Sequence, residues 1–350
     1  MNILITGNLG YIGSVLTSYL FDKKYSLVGY DIGYYEDCNL FNIKHNIKQI
    51  KKDIRDININ DLTDNNIEIV IHMAALSNDP LGEFNKSLTY EINYKSTLKL
   101  ANLCKKNNIS KFVFLSTQSM YGISKVDSEI DEDKSEKKPI TEYAKTKWKA
   151  EKELFKLAND NFCVSALRPS SVFGVSPRLR TDIVYNNLIS NGYTFKKINI
   201  HSDGTPWRPV IHIRDVCNAI LAILIAPKEI INKQSFNVGI INGNYTVKKM
   251  AETAKSLISG SEIIYSNNHK TDERTYKVSF NKILKVLKKY YHPKWDLVSG
   301  GNELIKFFDE IKLSENILNS SKTNRLKKLK ELINKGKIDK YLRRLYKNDD

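Results

Sequence analysis

The sequence has few cysteines and prolines and no long apolar run. Its 350 residues include eight prolines and four cysteines, and the cysteines are Cys38, Cys104, Cys163 and Cys217. Their spacing is that of neither a metal site nor a dithiol redox site. No uninterrupted apolar stretch approaches the ~20 residues that cross a bilayer. The chain enters its first predicted strand at residue 2, so we expect no signal peptide, no membrane span and a cytoplasmic location.

Acidic residues are scarce relative to basic ones. The chain has 39 Asp and Glu against 55 Lys and Arg, which gives a net charge of +16. Residues 322–347 alone hold eleven Lys and Arg against two acids, a net +9. Lys, Asn and Ile are frequent throughout, as an AT-rich genome would produce. Composition therefore explains the charge without a nucleic-acid partner, and a basic face for an acidic membrane or protein is a minor hypothesis.

The first 31 residues carry a glycine-rich turn between two apolar runs. The turn contains Gly7, Gly10 and Gly13, helical spacing follows it, and the second run ends at Asp31. This order matches a dinucleotide site, where a pyrophosphate rests on free N–H groups at a helix start and an acid accepts bonds from ribose hydroxyls. No Lys or Arg lies between Asp31 and Leu40 to neutralise a 2′-phosphate. The pattern therefore favours NAD over NADP.

Further apolar runs are of strand length, and a helix is predicted over residues 89–106. Small or hydroxyl-bearing residues follow each run: Ala74 and Ala75 after Ile67–His72, Ser116 and Thr117 after Lys111–Leu115, and Ser170 and Ser171 after 162–167. The carboxyl ends of parallel strands share one sheet edge, where ligands bind. Later in the chain Tyr143 and Lys147 lie four residues apart, so on a helix they share a face.

In chain order these motifs resemble the extended short-chain dehydrogenase/reductase family, and in particular its NAD-dependent nucleotide-sugar epimerases and dehydratases. The resemblance covers roughly residues 1–310. It implies an α/β fold with a Rossmann-type doubly wound parallel sheet and a smaller C-terminal α/β substrate lobe. The expected division is an NAD-binding domain over 1–168, an interleaved substrate lobe over 169–313 and a basic helical tail over 314–350. It also implies a homodimer packed through the Tyr/Lys helix.

The resemblance implies a role for each matching residue. Tyr143 would take a proton from a sugar hydroxyl while hydride leaves the same carbon for NAD, Thr117 would hydrogen-bond the reacting oxygen, and Lys147 would also bind the nicotinamide ribose. We expect the Lys147 ammonium and the nicotinamide charge to lower the pKa of Tyr143 from ~10. The implied cofactor contacts are Gly7, Gly10, Tyr11, Ile12, Gly13, Asp31, Asp53, Ile54, Ala74, Ala75, Leu76, Asn93, Tyr143 and Lys147. The implied contacts to a nucleotide-diphosphate sugar are Thr117, Ser171, Asn187, Leu188, Arg208, Asp272 and Arg274.

Two positions depart from the family pattern, and no metal is expected. Ser171 stands where 4-epimerases usually have Asn, and His269 stands at a usual Arg position. His201 and His212 lack neighbouring metal ligands in the sequence.

The residues after Thr117 restrict the reaction. Sugar 4,6-dehydratases of this family have Asp-Glu there, and C3 or C5 epimerases use a cysteine base. Here the positions are Gln118 and Ser119, which cannot act as acid or base. The favoured prediction is an NAD-dependent nucleotide-sugar 4-epimerase. The alternatives are a 4-ketosugar reductase or sugar-4-dehydrogenase, and a non-catalytic nucleotide- or RNA-binding module, against which the complete Thr, Tyr and Lys set argues.

Overall fold

A parallel seven-stranded sheet organises the fold. The computed structural model describes residues 1–43, 45–123, 128–265 and 275–345. The predicted substrate contacts Asp272 and Arg274 lie outside the described residues, as does His269. In chain order the strands are β1 (Asn2–Thr6), β2 (Ser26–Tyr30), β3 (Lys48–Ile50), β4 (Ile67–His72), β5 (Lys111–Leu115), β6 (Glu129–Ile130), β7 (Cys163–Pro169), β8 (Ser171–Phe173), β9 (Lys197–Ile200), β10 (Trp207–His212), β11 (Gln234–Val238), β12 (Asn244–Thr246), β13 (Glu262–Tyr265) and β14 (Lys277–Val278).

Helices lie on both sides of this sheet. In chain order they are α1 (Tyr11–Asp22), α2 (Asn60–Thr63), α3 (Asp79–Phe84), α4 (Lys86–Tyr90), α5 (Ser96–Lys106), α6 (Glu142–Leu157), α7 (Val184–Phe195), α8 (Ile213–Ile225), α9 (Lys228–Ile231), α10 (Val247–Leu257), α11 (Asn281–Val286), α12 (Leu297–Glu310), α13 (Glu315–Leu318) and α14 (Arg325–Asn334). The single helix predicted over 89–106 is wrong at its start, because a π-helical turn, Glu91–Lys95, joins α4 to α5. Such a turn inserts an extra residue into the helix, and here it carries Asn93 inward.

The strand order in the large sheet is β11-β7-β5-β4-β1-β2-β3, and every neighbouring pair is parallel. The order runs outward from β1 to β3 and then returns to β4 on the other side of β1. A reversal of this kind leaves a crevice at the carboxyl ends of the strands. The predicted Rossmann-type doubly wound sheet is confirmed.

Alternation along the strands builds two apolar layers. Side chains of successive strand residues point to opposite faces, so Ile3 and Ile5 join one buried cluster and Leu4 joins the other. Helices α1 and α8 contact each other on the first face, and α5 and α6 do so on the second. The short apolar runs of the sequence are therefore buried on both sides, as parallel sheets require.

A smaller lobe is built mainly from the second half of the chain. Strands β12, β10 and β8 form a three-stranded sheet, and β13 pairs with β9. Helix α7 contacts α10, α12 and β9. Because β11 returns to the large sheet beside β7, the two parts of the chain are interleaved.

The C-terminal segment, defined as residues 321–345, is not a separate basic tail. Leu329, Leu332, Ile338 and Leu342 are buried in the same cluster as Leu4 of β1. The Leu side chains of α14 recur at helical spacing, so one face completes the core while Lys327 and Lys330 are exposed. The part of the predicted basic helical tail, 314–350, that includes α14 therefore packs on the domain of the large sheet.

All four cysteines are buried and none forms a disulfide. Across the described ranges, no helix has both the length and the apolar character that a bilayer crossing requires. Within the same ranges, no three His, Cys, Asp or Glu side chains are grouped closely enough to hold a metal ion.

Candidate active site

A cleft of about 830 Å³ opens at the carboxyl edge of the large sheet. One wall consists of the turns after β1, β2, β4 and β5, and the other consists of residues from α7, β9 and β10 in the smaller lobe. The cleft therefore lies at the crevice that the strand order creates. Residues from distant parts of the sequence meet there.

Gly7 and Gly13 of the glycine-rich turn lie too close to neighbouring backbone for a Cβ atom. Gly7 has φ +76°, and a Cβ there would stand 2.8 Å from the Ala74 nitrogen. A Cβ on Gly13 would stand 2.1 Å from the Gly7 carbonyl oxygen. Helix α1 begins after Gly10 with no side chain capping its first turn. Free N–H groups at such a helix start suit a phosphate, so this part of the wall fits the pyrophosphate of a dinucleotide.

Asp31 follows β2 and lines the cleft. Its carboxylate accepts hydrogen bonds from the backbone N–H groups of Leu9, at 3.1 Å, and Gly33, at 2.8 Å. Burial raises the pKa of this carboxyl, although both bonds oppose the shift. A carboxylate has about four acceptor sites, so the fixed group retains acceptors for ribose hydroxyls.

A buried Thr–His pair fixes the turn after β4. The Thr6 hydroxyl lies 2.7 Å from His72 Nδ1 and accepts hydrogen bonds from the Met73 and Ala74 nitrogens, both at 3.2 Å. Burial lowers the pKa of His72 to about 3, so the ring is neutral. This network holds Ala74 against the glycine turn.

Asn93 does not line the cleft. Its side chain accepts a hydrogen bond from the Leu76 nitrogen at 2.8 Å and donates one to the Leu76 carbonyl at 3.2 Å. The predicted direct cofactor contact is therefore corrected to a positioning role on the backbone of Leu76. The other described residues of the predicted cofactor set line the cleft: Gly7, Gly10, Tyr11, Ile12, Gly13, Asp31, Asp53, Ile54, Ala74, Ala75, Leu76, Tyr143 and Lys147.

Thr117, Tyr143 and Lys147 meet on the sheet side of the cleft. Thr117 follows β5, whereas Tyr143 and Lys147 lie one turn apart on α6. Helix α6 begins after Thr141, whose hydroxyl oxygen accepts from the Ala144 nitrogen at 3.3 Å and donates to Asp79 at 2.6 Å. The cap thus fixes where the first turn of α6, with Tyr143, enters the cleft.

Burial controls the electrostatics of Tyr143 and Lys147. The Lys147 ammonium donates to the Leu115 carbonyl at 2.7 Å, and burial lowers its pKa to about 7. Burial also raises the pKa of Tyr143 to about 12, opposed by a hydrogen bond with Thr117 and by the charge of Arg180. Burial therefore outweighs the Thr117 hydrogen bond and the Arg180 charge in setting the pKa of Tyr143 in the protein alone. The lowering expected from Lys147 together with the nicotinamide charge stays a prediction.

The predicted substrate contacts line the opposite side of the cleft. Ser171 belongs to β8, Asn187 and Leu188 to α7, and Arg208 to β10. All four residues line the cleft. The Asn187 amide donates to the Thr181 carbonyl at 3.0 Å, which fixes its orientation at the start of α7. A substrate held by this set would extend away from the glycine turn.

Comparison with known proteins identifies the family. Residues 3–239 match the NAD dependent epimerase/dehydratase family. The chain belongs to this family. The predicted resemblance to NAD-dependent nucleotide-sugar enzymes is thereby confirmed.

Relatives in this family carry out more than one reaction. A Bacillus subtilis protein named as an uncharacterized UDP-glucose epimerase is 30% identical over 251 residues, 68% of this chain and 77% of that protein. Human dTDP-D-glucose 4,6-dehydratase is 28% identical over 297 residues, 80% of this chain and 83% of that protein. The UDP-glucose 4-epimerase of Thermotoga maritima, solved with UDP-glucose, has a similar fold with TM-score 0.79 and 23% identity, over 89% of this chain and all of that one. Membership of the epimerase/dehydratase family therefore leaves the exact reaction open.

A buried ion pair anchors the helix that carries the Tyr and Lys of this epimerase/dehydratase protein. The Arg168 guanidinium pairs with Glu151 of α6, and both side chains are buried. Arg168 also donates to the Tyr121 hydroxyl at 2.8 Å. A buried pair with complementary hydrogen bonds locks α6 against β7 and the turn after Thr117.

Sequence reasoning missed other residues at the cleft. Arg180 donates to both oxygens of Asp182, at 3.0 and 2.7 Å, and Asp182 accepts from the Asn78 amide at 3.1 Å. This group joins the two walls, yet no motif surrounds it. Gly82 of α3 was also missed: a Cβ there would stand 2.8 Å from the Cβ of Tyr143. No motif around Gly82 in the sequence indicates this contact.

Proposed function

We propose that this protein is an NAD-dependent nucleotide-sugar 4-epimerase. The observation that carries the proposal is the convergence of Thr117, Tyr143 and Lys147 on one cleft, beside a glycine turn and without a carboxylic acid next to Thr117. Such a site supports hydride transfer at one carbon. The family relatives include epimerases and dehydratases, so the side chains themselves must decide between these reactions.

The residues of the sheet edge fit NAD. Gly7, Gly10 and Gly13 would hold the pyrophosphate at the start of α1, and Asp31 would accept hydrogen bonds from the adenosine ribose. When bound, NAD supplies a hydride acceptor for the sugar C4 and returns the hydride to the opposite face. Lys147 has three N–H donors, one of which is directed to Leu115. The others can bind the nicotinamide ribose.

Tyr143 would act as the base. With a pKa of about 12, its hydroxyl is protonated at neutral pH, so proton removal from the sugar requires a stabilised phenolate. The charge of Arg180 favours the phenolate, and a protonated Lys147 together with the nicotinamide charge of bound NAD would add to this stabilisation. Thr117 can hydrogen-bond the same sugar oxygen, because it lines the same part of the cleft. The proposed catalysis therefore depends on the positions of Tyr143 and Thr117 at the sugar oxygen and on positive charge near the phenolate.

The turn after Thr117 disfavours dehydration. Gln118 is buried, and its amide donates to the Arg168 carbonyl at 3.0 Å. Its buried Oε1 atom has no hydrogen-bond partner among the described residues. Neither Gln118 nor Ser119 can deprotonate C5 or protonate a leaving hydroxyl. None of the four cysteines lines the cleft, so a thiol base for epimerisation at C3 or C5 is also missing.

The smaller lobe supports a nucleotide-diphosphate sugar as substrate. Arg208 is a guanidinium suited to a diphosphate, and Asn187 offers an oriented amide near the same wall. The experiment described below identifies the nucleotide and the sugar.

The homodimer packed through α6 and the cytoplasmic location remain predictions. Gel filtration with light scattering would test the first, and cell fractionation would test the second.

The decisive experiment begins with the absorption spectrum of the purified protein. The protein is then incubated with UDP-, GDP-, dTDP- and CDP-hexoses without added cofactor. Bound NAD, a transient reduced-nicotinamide band and a C4 isomer in the product would support the 4-epimerase. Turnover only of a 4-ketosugar with added NADH or NADPH would indicate a reductase. No cofactor and no turnover, equal to a Tyr143→Phe control, would overturn the proposal in favour of a binding module.

A further inference from the structure

The C-terminal segment forms part of the cleft wall. Three of its residues, Asn324, Arg325 and Leu326, line the same cleft as Asp31. This region lies beyond the part of the chain that matches the family, residues 3–239. The wall around Asp31 is therefore completed by residues that carry no family motif.

The segment holds the loop that follows Asp31. The Arg344 guanidinium donates to the carbonyls of Ile32 at 2.8 Å and Gly33 at 2.7 Å. The Tyr34 hydroxyl donates in turn to the Leu342 carbonyl. Three hydrogen bonds therefore tie this loop to the C-terminal segment.

The segment also holds the loop that follows β3. Arg343 lies 3.2 Å from a carboxylate oxygen of Asp53 and forms a second ion pair with Asp56. Arg55 donates to the Tyr341 carbonyl at 3.0 Å. Asp53 and its neighbour Ile54 line the cleft. Both loops next to the end of β2 are thus attached to one short stretch of chain.

Arg325 brings a buried positive charge to the cleft. Its side chain is 2% exposed, donates to the carbonyls of Arg178 and Lys322, and lies 4.5 Å from the Tyr35 ring centroid. Among the described residues no carboxylate forms an ion pair with it, although the charge of Asp182 acts on it at longer range. Burial lowers the pKa of this guanidinium. A buried charge without an ion-pair partner is costly, and an anionic ligand in the cleft would offset that cost.

We propose that the C-terminal segment is the outer wall of the adenosine and phosphate end of the cofactor site. Arg325 supplies positive charge to the bound dinucleotide, and Arg343 and Arg344 hold the two loops around its adenosine. Release of the cofactor then requires these contacts to open. The inference rests on the proposed NAD binding. It assigns the basic segment to cofactor retention, which suits an enzyme that reuses its cofactor within each turnover.

Two point variants of the full-length chain test the proposal, Arg344→Ala and Arg325→Met. NADH binding is followed by fluorescence titration, and its release by a stopped-flow chase with excess NAD. We expect each variant to raise the dissociation constant at least about tenfold, as the loss of charged hydrogen bonds predicts, with most of the change in the release rate. The point variants decide the matter, because deletion of the segment would also uncover the apolar cluster.

Lys330→Ala is the matched control. Lys330 lies on α14 with an exposed side chain and has no hydrogen bond or ion pair with a described residue. The Lys330→Ala variant should bind and release NADH like the wild type. Nucleotide-sugar binding and thermal stability without cofactor should be unchanged in Arg344→Ala, since a general loss of structure would alter both.

The outcomes separate this inference from the proposed function. Faster NADH release in both variants, with unchanged nucleotide-sugar affinity, supports the wall. If the wild type binds NADH and both variants bind and release it like the wild type, the proposed role of the C-terminal segment is wrong. The 4-epimerase proposal would then still stand. A wild type that binds no dinucleotide would overturn both.

Discussion

The two walls around Asp31 are built in different ways. The sheet-edge wall comes from short motifs within the first 150 residues, where glycines and small residues follow strands. The C-terminal wall comes from a Lys-rich stretch with no motif, held by apolar burial and by arginines bonded to carbonyls and acids. Motifs therefore mark places where a ligand approaches the backbone, whereas a wall made from side chains leaves little trace in the sequence.

The largest expected effect is on turnover, from a substitution that removes the proposed catalytic hydroxyl and leaves both walls of the cleft in place. Tyr143→Phe should lower turnover by about 10³-fold, because a positioned acid or base contributes about 10²–10⁴-fold. Its bound NAD content should match that of the wild type. Tyr290→Phe serves as the control, since Tyr290 does not line the cleft. Substantial turnover in Tyr143→Phe would show that another group is the base.

A core substitution tests the C-terminal wall. Leu342 is 0% exposed, so Leu342→Ala should lower the free energy of unfolding by about 3 kcal/mol, the usual cost of a large-to-small change in a core. Leu345 is 51% exposed, so Leu345→Ala should change it by less than about 0.5 kcal/mol. Urea denaturation measures both. Equal effects would mean that the segment is not part of the folded core.

A pair of glycine substitutions tests the sheet-edge wall. Gly13→Ala should lower the free energy of unfolding by about 2 kcal/mol, because its Cβ would meet the Gly7 carbonyl oxygen at 2.1 Å. For Gly10→Ala the nearest atom is 3.2 Å away and φ is −87°. This second variant should keep its stability and lose NAD affinity. Thermal unfolding and NADH titration separate the two effects, and unchanged affinity in Gly10→Ala would contradict its predicted place at the pyrophosphate.

The last prediction concerns the pH dependence of stability, which changes gradually over several pH units. The pKa of Lys147 is about 7 in the folded protein and 10.5 unperturbed. Between these values the unfolded chain binds one more proton, so stability rises with pH by up to about 1.4 kcal/mol per unit. Lys147→Met removes this contribution. The free energies of unfolding of the wild type and of Lys147→Met, measured as a function of pH, should diverge above about pH 7. The same pH dependence in both proteins would mean that the Lys147 ammonium is solvated.

Much of the cleft could be predicted because local patterns reflect local constraints. Gly7 and Gly13 are required by close backbone contacts, and the predicted strands Ile67–His72 and Lys111–Leu115 agree with the structure in both bounds. Asn93 was predicted as a cofactor contact, whereas its side chain does not line the cleft and bonds the backbone of Leu76. Its hydrogen bonds to Leu76 depend on a π-helical turn, which no residue pattern in this stretch indicates.

The sequence by itself determined the parallel sheet, the glycine turn and the spacing of Tyr143 and Lys147, because these depend on residues close together in the chain. Only the tertiary structure decided the balance of charge in the cleft, because burial outweighs the Thr117 hydrogen bond and the Arg180 charge in setting the pKa of Tyr143. It also brought Arg325 and Arg344 to the loop after Asp31, across about 300 residues of chain. Contacts of this kind follow from how the apolar faces of the segment and the sheet pack, and composition alone gave only their charge.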